Sequence, residues 1–139
     1  MPATMSFTVV RQKLFLVVHT KDNPDEKEWA DYLGGIRSAC GKVDSILIIS
    51  DGGGPNTMQR GQMNDLLDSL KFQGKVAVVT INRIVRGIVT AISWFNPTIK
   101  AFSTIQIPAA LKYLDIPETQ HDYFNIEIKR LKTQLGITS

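Results

Sequence analysis

Short apolar runs alternate with longer amphipathic segments along most of the 139-residue chain. Runs rich in β-branched and aromatic residues predict strands, and these cover residues 7–11, 14–19, 45–50, 75–81 and 99–103. The second, third and fourth runs are apolar at nearly every position, which is typical of strands covered on both faces. The pattern therefore predicts a buried sheet with a layer of helices on each side.

Apolar residues at helical spacing predict helices between these strands and after the last of them. The predicted helices cover residues 23–40, 56–72, 82–95, 108–114 and 119–135. Asn23 and Asn82 are suited to cap the first and third of them. The apolar positions of the third helix fall on one side and predict burial against the sheet; they are Ile84, Val85, Ile88, Ala91, Ile92 and Phe95.

Three small residues qualify the prediction for the first helix. The pair Gly34-Gly35 weakens it by roughly 1 kcal/mol per residue relative to alanine, so we expect close packing against the sheet to compensate. Cys40 lies on its apolar stripe, and we expect a buried structural thiol there. It is the only cysteine of the chain, so no internal disulfide can form, and no Cys/His cluster has metal-binding spacing.

The order of elements is β(β)αβαβαβαα, which predicts an α/β domain with a mainly parallel sheet of four or five strands flanked by helices. One antiparallel pair is expected at the N-terminal end. The length, with 43% hydrophobic residues, fits one domain with a core. The sequence shows neither a secretory signal nor a long apolar segment, and from these features we expect a cytoplasmic protein without stable membrane insertion.

Charge is unevenly distributed, although the net charge is only +3. Residues 69–114 contain six bases and no acid, whereas residues 22–31 contain five acids and one lysine. We therefore expect a basic side and an acidic side. The basic side is either ordinary solubilising charge or a docking face for an acidic protein, a phosphate group or an anionic lipid surface. Nucleic acid is not expected, since no known reader motif appears.

The most informative motif is the glycine-rich segment after the third predicted strand, which reads Ser50-Asp51-Gly52-Gly53-Gly54-Pro55-Asn56-Thr57. Loops at the carboxyl ends of parallel strands are where ligands and partners bind, and glycines let another molecule approach the main chain. The segment lacks the spacing of nucleotide-binding glycine loops. It is either a tight connection or a partner-binding turn, whose candidate residues are Asp51, Gly52, Gly53, Gly54, Asn56, Thr57 and Arg60.

Two further kinds of chemistry are candidates at the same place. Ser50 and Thr57 are candidate phosphoacceptors, because a phosphate would lie beside a helix N-terminus. His19, Ser50 and Asp51 are all at strand ends, which leaves a hydrolase of unknown class as a minor alternative. We expect no catalytic residue, no metal site and no cofactor.

Element order and motifs resemble the STAS domain of anti-sigma-factor antagonists, and in particular its SpoIIAA-like branch. The resemblance rests on Ile-Leu-Ile-Ile-Ser-Asp-Gly-Gly-Gly before a helix and on Lys-Val-Ala-Val-Val-Thr before a helix that carries Trp-Phe near its end. It implies a non-enzymatic bacterial signalling module that binds a regulatory protein, such as a kinase-like anti-sigma factor. The family carries a phosphorylatable Ser or Thr directly after the turn aspartate, whereas this chain carries Gly52 there.

The resemblance leaves two further questions open. It covers a domain at residues 1–117 and leaves residues 118–139 as a C-terminal amphipathic extension, which packs on the domain or on a partner; a homodimer is one such case. The SpoIIAA-like branch also resembles lipid-binding carrier folds. The alternative function is therefore a sensor or carrier of a small anionic or lipidic ligand, with an apolar cavity expected near Trp94 and Phe95.

Overall fold

The computed structural model describes residues 3–94 and 96–137, so Phe95 lies outside the described residues. Its strands are β1 (Met5–Val10), β2 (Leu14–His19), β3 (Ser45–Ser50), β4 (Lys75–Thr80) and β5 (Ile99–Phe102). Its α-helices are α1 (Glu26–Ala39), α2 (Thr57–Ser69), α3 (Arg83–Ser93), α4 (Ile107–Tyr113) and α5 (His121–Gln134).

The strands form one sheet in the order β1-β2-β3-β4-β5. β1 pairs antiparallel with β2, and every other pairing is parallel. The α/β class, the mainly parallel sheet and the antiparallel N-terminal pair are therefore confirmed. The register aligns His19, Ser50 and Thr80 across three strands, which places the ends of β2, β3 and β4 side by side at the carboxyl edge.

Each face of the sheet is covered by its own helices. One buried cluster joins alternate strand residues to α4 and α5, and its helical members are Ala110, Leu111, Phe124, Ile128 and Leu131. The other joins the remaining strand residues to α1, α2 and α3, and its helical members are Trp29, Tyr32, Ile36, Ala39, Met63, Leu66 and Val89. Strand alternation explains the division, because successive side chains of a strand point to opposite faces.

The first helix begins later than the sequence pattern predicts. Asp25, and not Asn23, caps α1, because its side chain accepts a hydrogen bond from the backbone N–H of Glu28 at 2.7 Å. The Glu28 carboxylate in turn accepts a hydrogen bond from the backbone N–H of Thr4 at 2.7 Å, which ties α1 to the chain before β1. At the other end, Cys40 is half-buried and not fully buried as predicted. Even so, burial raises the pKa of its thiol.

The glycine pair of α1 has two different environments. A Cβ atom at Gly35 would lie 2.5 Å from Cε2 of Phe7, whereas a Cβ atom at Gly34 would meet nothing within 4 Å. The Phe7 ring stacks on Phe15 at a centroid distance of 5.6 Å. The close packing expected to compensate for the pair is therefore present at Gly35 alone.

The prediction that the apolar side of the third helix is buried is wrong in part. α3 packs on β4 and on the edge strand β5. Val89 is buried there, but Ile84 is 76% exposed and Ile88 is 39% exposed. The apolar face of α3 is thus broader than the strip that two strands at the border of the sheet can cover.

The C-terminal helix lies on the sheet of the same chain. Phe124, Ile128 and Leu131 of α5 belong to the cluster that contains Leu16 and Leu47 at the centre of the sheet. A buried cluster of this kind derives its stability from removing apolar area from water. Within the described residues, α5 therefore shares one core with the sheet.

Candidate functional site

The glycine-rich segment, called here the 51–57 turn, leaves the carboxyl edge of the sheet directly after Ser50. Its first residue stays attached to the neighbouring strand, since the backbone N–H of Asp51 donates to the His19 carbonyl at 3.0 Å. The N–H of Gly53 donates to the Thr20 carbonyl at 2.9 Å. The turn is therefore held against the loop between β2 and α1.

The glycines of the turn are required by its backbone and by its packing. Gly52 and Gly54 have φ values of +119° and +151°, which side chains disfavour. A Cβ atom at Gly53 would lie 2.5 Å from the Asp22 carbonyl oxygen and 2.6 Å from the Lys21 carbonyl carbon. Because these neighbours are backbone atoms, a larger residue at this position would have to displace a whole loop.

Ser50 is a structural member of the turn. Its hydroxyl is buried, donates to the Gly53 carbonyl and accepts a hydrogen bond from the Gly52 N–H at 3.1 Å. A phosphate on Ser50 would need the turn to open first. Thr57, the other candidate phosphoacceptor, is exposed.

The start of α2 is fixed by a capping box. The Asn56 side chain accepts from the N–H of Gln59 at 2.8 Å, and the Gln59 side chain accepts from the N–H of Asn56 at 2.9 Å. Gln59 also donates to the Pro24 carbonyl at 3.1 Å, which connects α2 to the start of α1. The sequence prediction missed Gln59, although the Asn-x-x-Gln spacing is its signal.

The outward surface of the turn combines a polar rim with one large apolar side chain. Arg60 donates to the Pro55 carbonyl at 3.2 Å and to the Thr57 hydroxyl at 3.1 Å. Met58 is 72% exposed and stands in the first turn of α2. Met58 was also missed by the sequence prediction, because a lone exposed methionine has no recognisable pattern.

The beginning of α3 adjoins this surface. Asn82 caps α3, as predicted, by accepting hydrogen bonds from the N–H groups of Ile84 and Val85 at 2.9 Å and 3.2 Å. Its Nδ2 donates to the Gly52 carbonyl at 3.4 Å. The residue before it, Ile81, is 56% exposed. The turn and the β4–α3 loop therefore form one continuous edge.

Of the predicted partner-binding residues, some are structural and others face outward. Gly53 and Asn56 hold the turn and the helix start. The half-buried or exposed remainder forms the accessible surface and consists of Asp51, Gly52, Gly54, Thr57 and Arg60. The site thus separates into an internal support and an outer face.

The candidate hydrolase residues His19, Ser50 and Asp51 lie close together, but their side chains do not form the hydrogen bonds that catalysis needs. His19 and Ser50 are register partners on β2 and β3. The hydroxyl of Ser50 donates to Gly53, however, and Nδ1 of His19 has no hydrogen-bond partner among the described residues. Burial lowers the pKa of His19 to about 4, and the nearby Glu28 carboxylate offsets only part of this effect. His19 is therefore a neutral, buried imidazole at neutral pH, and the described contacts give no nucleophile–base pair.

A cleft of about 320 Å³ opens at the same edge on the α4–α5 face. Ile49, Ile81 and Ile107 provide its apolar wall, and Lys132 of α5 provides a cation. A second cleft of about 460 Å³ lies between α4 and the end of α5 and shares Ile107 and Lys132. Trp94 lines neither of these two clefts and is 78% exposed, and Phe95 lies outside the described residues, so the apolar cavity expected near them stays a prediction.

Two other features are missing from the described residues. Across residues 3–94 and 96–137, no group of three or more His, Cys, Asp or Glu side chains could hold a metal ion. Over the same residues, no helix has both the length and the apolar character needed to cross a bilayer.

Comparison with known proteins supports the fold. No protein-family model and no curated protein matches the chain. Among solved structures, the chain is similar to an uncharacterized protein from the DUF3478 family with a SpoIIAA-like fold from Shewanella loihica PV-4. The TM-score is 0.60 at 14% sequence identity, and the match covers 82% of this chain and 95% of that one. The chain has a SpoIIAA-like fold, as the resemblance in its sequence implies.

Proposed function

We propose that this chain is a non-enzymatic interaction module that binds a regulatory protein, such as a kinase-like anti-sigma factor, through the 51–57 turn and the start of α2. The observation that carries the proposal is a turn supported from within by hydrogen bonds and close backbone packing. Such support leaves little conformational entropy to be lost on binding. The resemblance to anti-sigma-factor antagonists, which implies partner binding at the same strand–turn–helix position, adds to the argument.

The outer face has the composition of a small protein-docking surface. Met58 supplies an apolar anchor, and its flexible thioether adapts to varied partners. Thr57 and Arg60 supply polar contacts at the rim, and the half-buried glycines Gly52 and Gly54 carry no side chain that would keep a partner from the backbone. A central apolar side chain within a polar rim is the usual arrangement of an energetic hot spot.

Thr57 also offers a place for regulation. It is the first residue of α2, and the Arg60 guanidinium lies against its hydroxyl. A phosphate on Thr57 would therefore meet both the helix N-terminus and a cation. In this proposal Thr57 takes the regulatory role that the family's serine or threonine after the aspartate would have, since Gly52 stands at that position.

The proposal is tested by photo-crosslinking in cells of the source organism, with a photoreactive residue at position 58. We expect one regulatory protein to be recovered repeatedly, and then to bind the purified chain in calorimetry. Met58→Glu should weaken that binding by tenfold or more, because a charge replaces the anchor. Gly53→Arg is a poorer test, since the backbone contacts of Gly53 are part of the fold.

The matched control is Ile126→Glu, because Ile126 is 64% exposed but lies on α5, across the sheet from α2. It should leave binding unchanged. Two results would contradict the assignment of this surface. One is equal affinity of the Met58→Glu and Ile126→Glu variants for the partner, and the other is crosslinking of the partner from position 126 as readily as from position 58.

A specific observation favours a second function, a sensor or carrier of a small anionic ligand. The cleft at the carboxyl edge combines an isoleucine wall with Lys132 and Asp51, which suits a small molecule with an apolar body and a carboxylate that pairs with Lys132. Native mass spectrometry of the freshly purified chain tests it. We expect an added mass that Lys132→Glu removes, and a chain free of added mass in several preparations would contradict this function.

A further inference from the structure

α3 carries apolar side chains that its own domain leaves in solvent. Ile84, Ile88 and Ala91 recur at helical spacing, so they share one face of the helix, and all three are exposed. Trp94, the residue that caps the C-terminal end, is 78% exposed. Ile84, Ile88, Ala91 and Trp94 are called here the α3 surface. Large apolar side chains gathered in this way mark a binding surface.

The position of α3 explains why the fold cannot cover this surface. The helix packs over β5, which is the edge strand of the sheet. Val89 faces the sheet and is buried, and Val85 and Ile92 are half-buried. Among the described residues no strand lies beyond β5, so in this part of the chain the flank of α3 that carries Ile84 and Ile88 has no further sheet surface to meet.

The charges carried by α3 itself have one sign. Residues 69–114 contain six bases and no acid, but these residues lie on both faces of the sheet, since α3 belongs to one buried cluster and α4 to the other. Arg83 is exposed on α3 itself, whereas the Arg86 guanidinium is tied to the Thr80 carbonyl at 2.8 Å. The acidic segment 22–31 leads into α1, which covers the same face of the sheet as α3 but packs on β1 at the opposite edge. The α3 helix therefore carries two bases and no acid, whereas Lys75 at the start of β4 is paired with Asp115 at 3.2 Å.

We infer that the α3 surface binds the headgroup region of an anionic lipid bilayer, peripherally and without spanning it. An amphipathic helix with isoleucines and a tryptophan on its apolar part and arginine beside them has the composition of interfacial helices. Tryptophan is favoured at the membrane–water interface. Bases nearby add attraction to anionic lipids.

A second copy of the chain fits this surface less well. A two-fold interface places the same patch of both copies face to face, so Arg83 would approach its own counterpart. Juxtaposed like charges weaken such an interface. An acidic protein partner remains the rival occupant, and the experiment below separates it from the bilayer.

The test is co-sedimentation of the full chain with vesicles of phosphatidylcholine, compared with vesicles in which about a third of the lipid is phosphatidylglycerol. We expect binding to the anionic vesicles that weakens as salt is raised, because salt screens the attraction. Trp29 is buried and Trp94 is exposed, so a blue shift of tryptophan emission on binding reports Trp94. Trp94→Phe should abolish the shift.

Variants assign the effect to the α3 surface. Ile84→Glu should reduce partition into anionic vesicles by roughly tenfold or more, because it exchanges an apolar contact for a negative charge. Arg83→Gln should reduce it by roughly fivefold. The control Ile126→Glu introduces the same charge at an exposed isoleucine of α5 and should bind like the unmodified chain. Circular dichroism should confirm that all three variants fold.

Several results would overturn the inference. They are no sedimentation with anionic vesicles at low salt, equal sedimentation with neutral vesicles, and an equal loss in the Ile84→Glu and Ile126→Glu variants. The surface would be assigned to an acidic protein under two conditions. A purified acidic protein would have to bind the unmodified chain but not the Ile84→Glu variant, and vesicles would have to bind neither form of the chain. Met58→Glu should leave vesicle binding unchanged, so this test can fail independently of the proposed function.

Discussion

The two helical layers of this domain differ in how completely they are closed. On the α4–α5 side, apolar residues of both helices meet the sheet in one continuous cluster, and Phe124 is fully buried. On the α1–α3 side, polar atoms are buried and apolar side chains are exposed. The buried Nδ1 of His19 has no partner among the described residues, and Ile84 of α3 stands in solvent.

This difference indicates where the two docking surfaces lie, whereas the cleft of the second proposed function opens on the α4–α5 face. A layer stabilises the domain where helix propensity, hydrophobic pattern and hydrogen bonding all agree with the fold. Unpaired buried polar atoms and exposed apolar side chains depart from these preferences, and such residues concentrate at functional sites. Both of our docking surfaces, the 51–57 turn with α2 and the α3 surface, lie on the less complete α1–α3 layer.

The largest expected effect tests the closed layer. Phe124→Ala should lower the free energy of unfolding by about 3–5 kcal/mol, because it removes a fully buried ring and leaves a cavity. Urea denaturation followed by circular dichroism measures it. Ile126→Ala, at an exposed position of the same helix, should change stability by less than about 0.5 kcal/mol.

If Phe124→Ala costs no more than Ile126→Ala, α5 does not pack on the sheet in solution. The distinction between the two layers would then disappear. Residues 118–139 would be free to cover a partner, which was the alternative left open by the sequence.

The next effect in size tests the α1–α3 layer through His19. Burial lowers its pKa from 6.5 to about 4, so between these pH values the unfolded chain binds a proton that the folded chain does not. Stability should therefore fall as pH is lowered through this window, by about 3 kcal/mol when pH 4 is reached. Above pH 6.5 the imidazole is neutral in both states, and it adds no pH dependence.

Urea midpoints across pH 4 to 7 measure this loss. His19→Gln should remove it, leaving only the contribution of the carboxylates. The control His121→Gln should retain it, because His19 is still present. An unmodified chain and a His19→Gln variant with the same pH profile would show that the α1–α3 layer admits a charged imidazole.

The fold of both layers could be predicted from the sequence only in part. Hydrophobic patterning predicted the order of strands and helices along the chain, since buried parallel strands and amphipathic helices have distinct patterns. It did not distinguish α5 from α3, because both carry an apolar stripe. Burial of the stripe depends on whether a sheet surface lies opposite, and the edge position of β5 is a property of the assembled fold.

At the candidate site, the glycine run indicated the location and left the role of each residue unknown. The structure shows that Gly53 is needed for backbone contact with the β2–α1 loop, which is distant in sequence and has no local signal. The burial of Ser50 likewise results from a hydrogen bond within the folded turn. The exposure of Met58 could not be read from a pattern, because single apolar residues are common on surfaces.

The smallest expected effect sharpens the comparison inside the α1–α3 layer, through the neighbouring glycines of α1. Gly35→Ala should destabilise the domain by about 1–3 kcal/mol, because its Cβ atom would press on a Phe7 ring already stacked on Phe15. Gly34→Ala should stabilise it by about 0.5–1 kcal/mol, because alanine favours the helix and the site is open. Thermal unfolding of the two variants gives opposite shifts. Two stabilising substitutions would mean that α1 stands off β1, and that the α1–α3 layer is loosely packed at its centre as well as at α3.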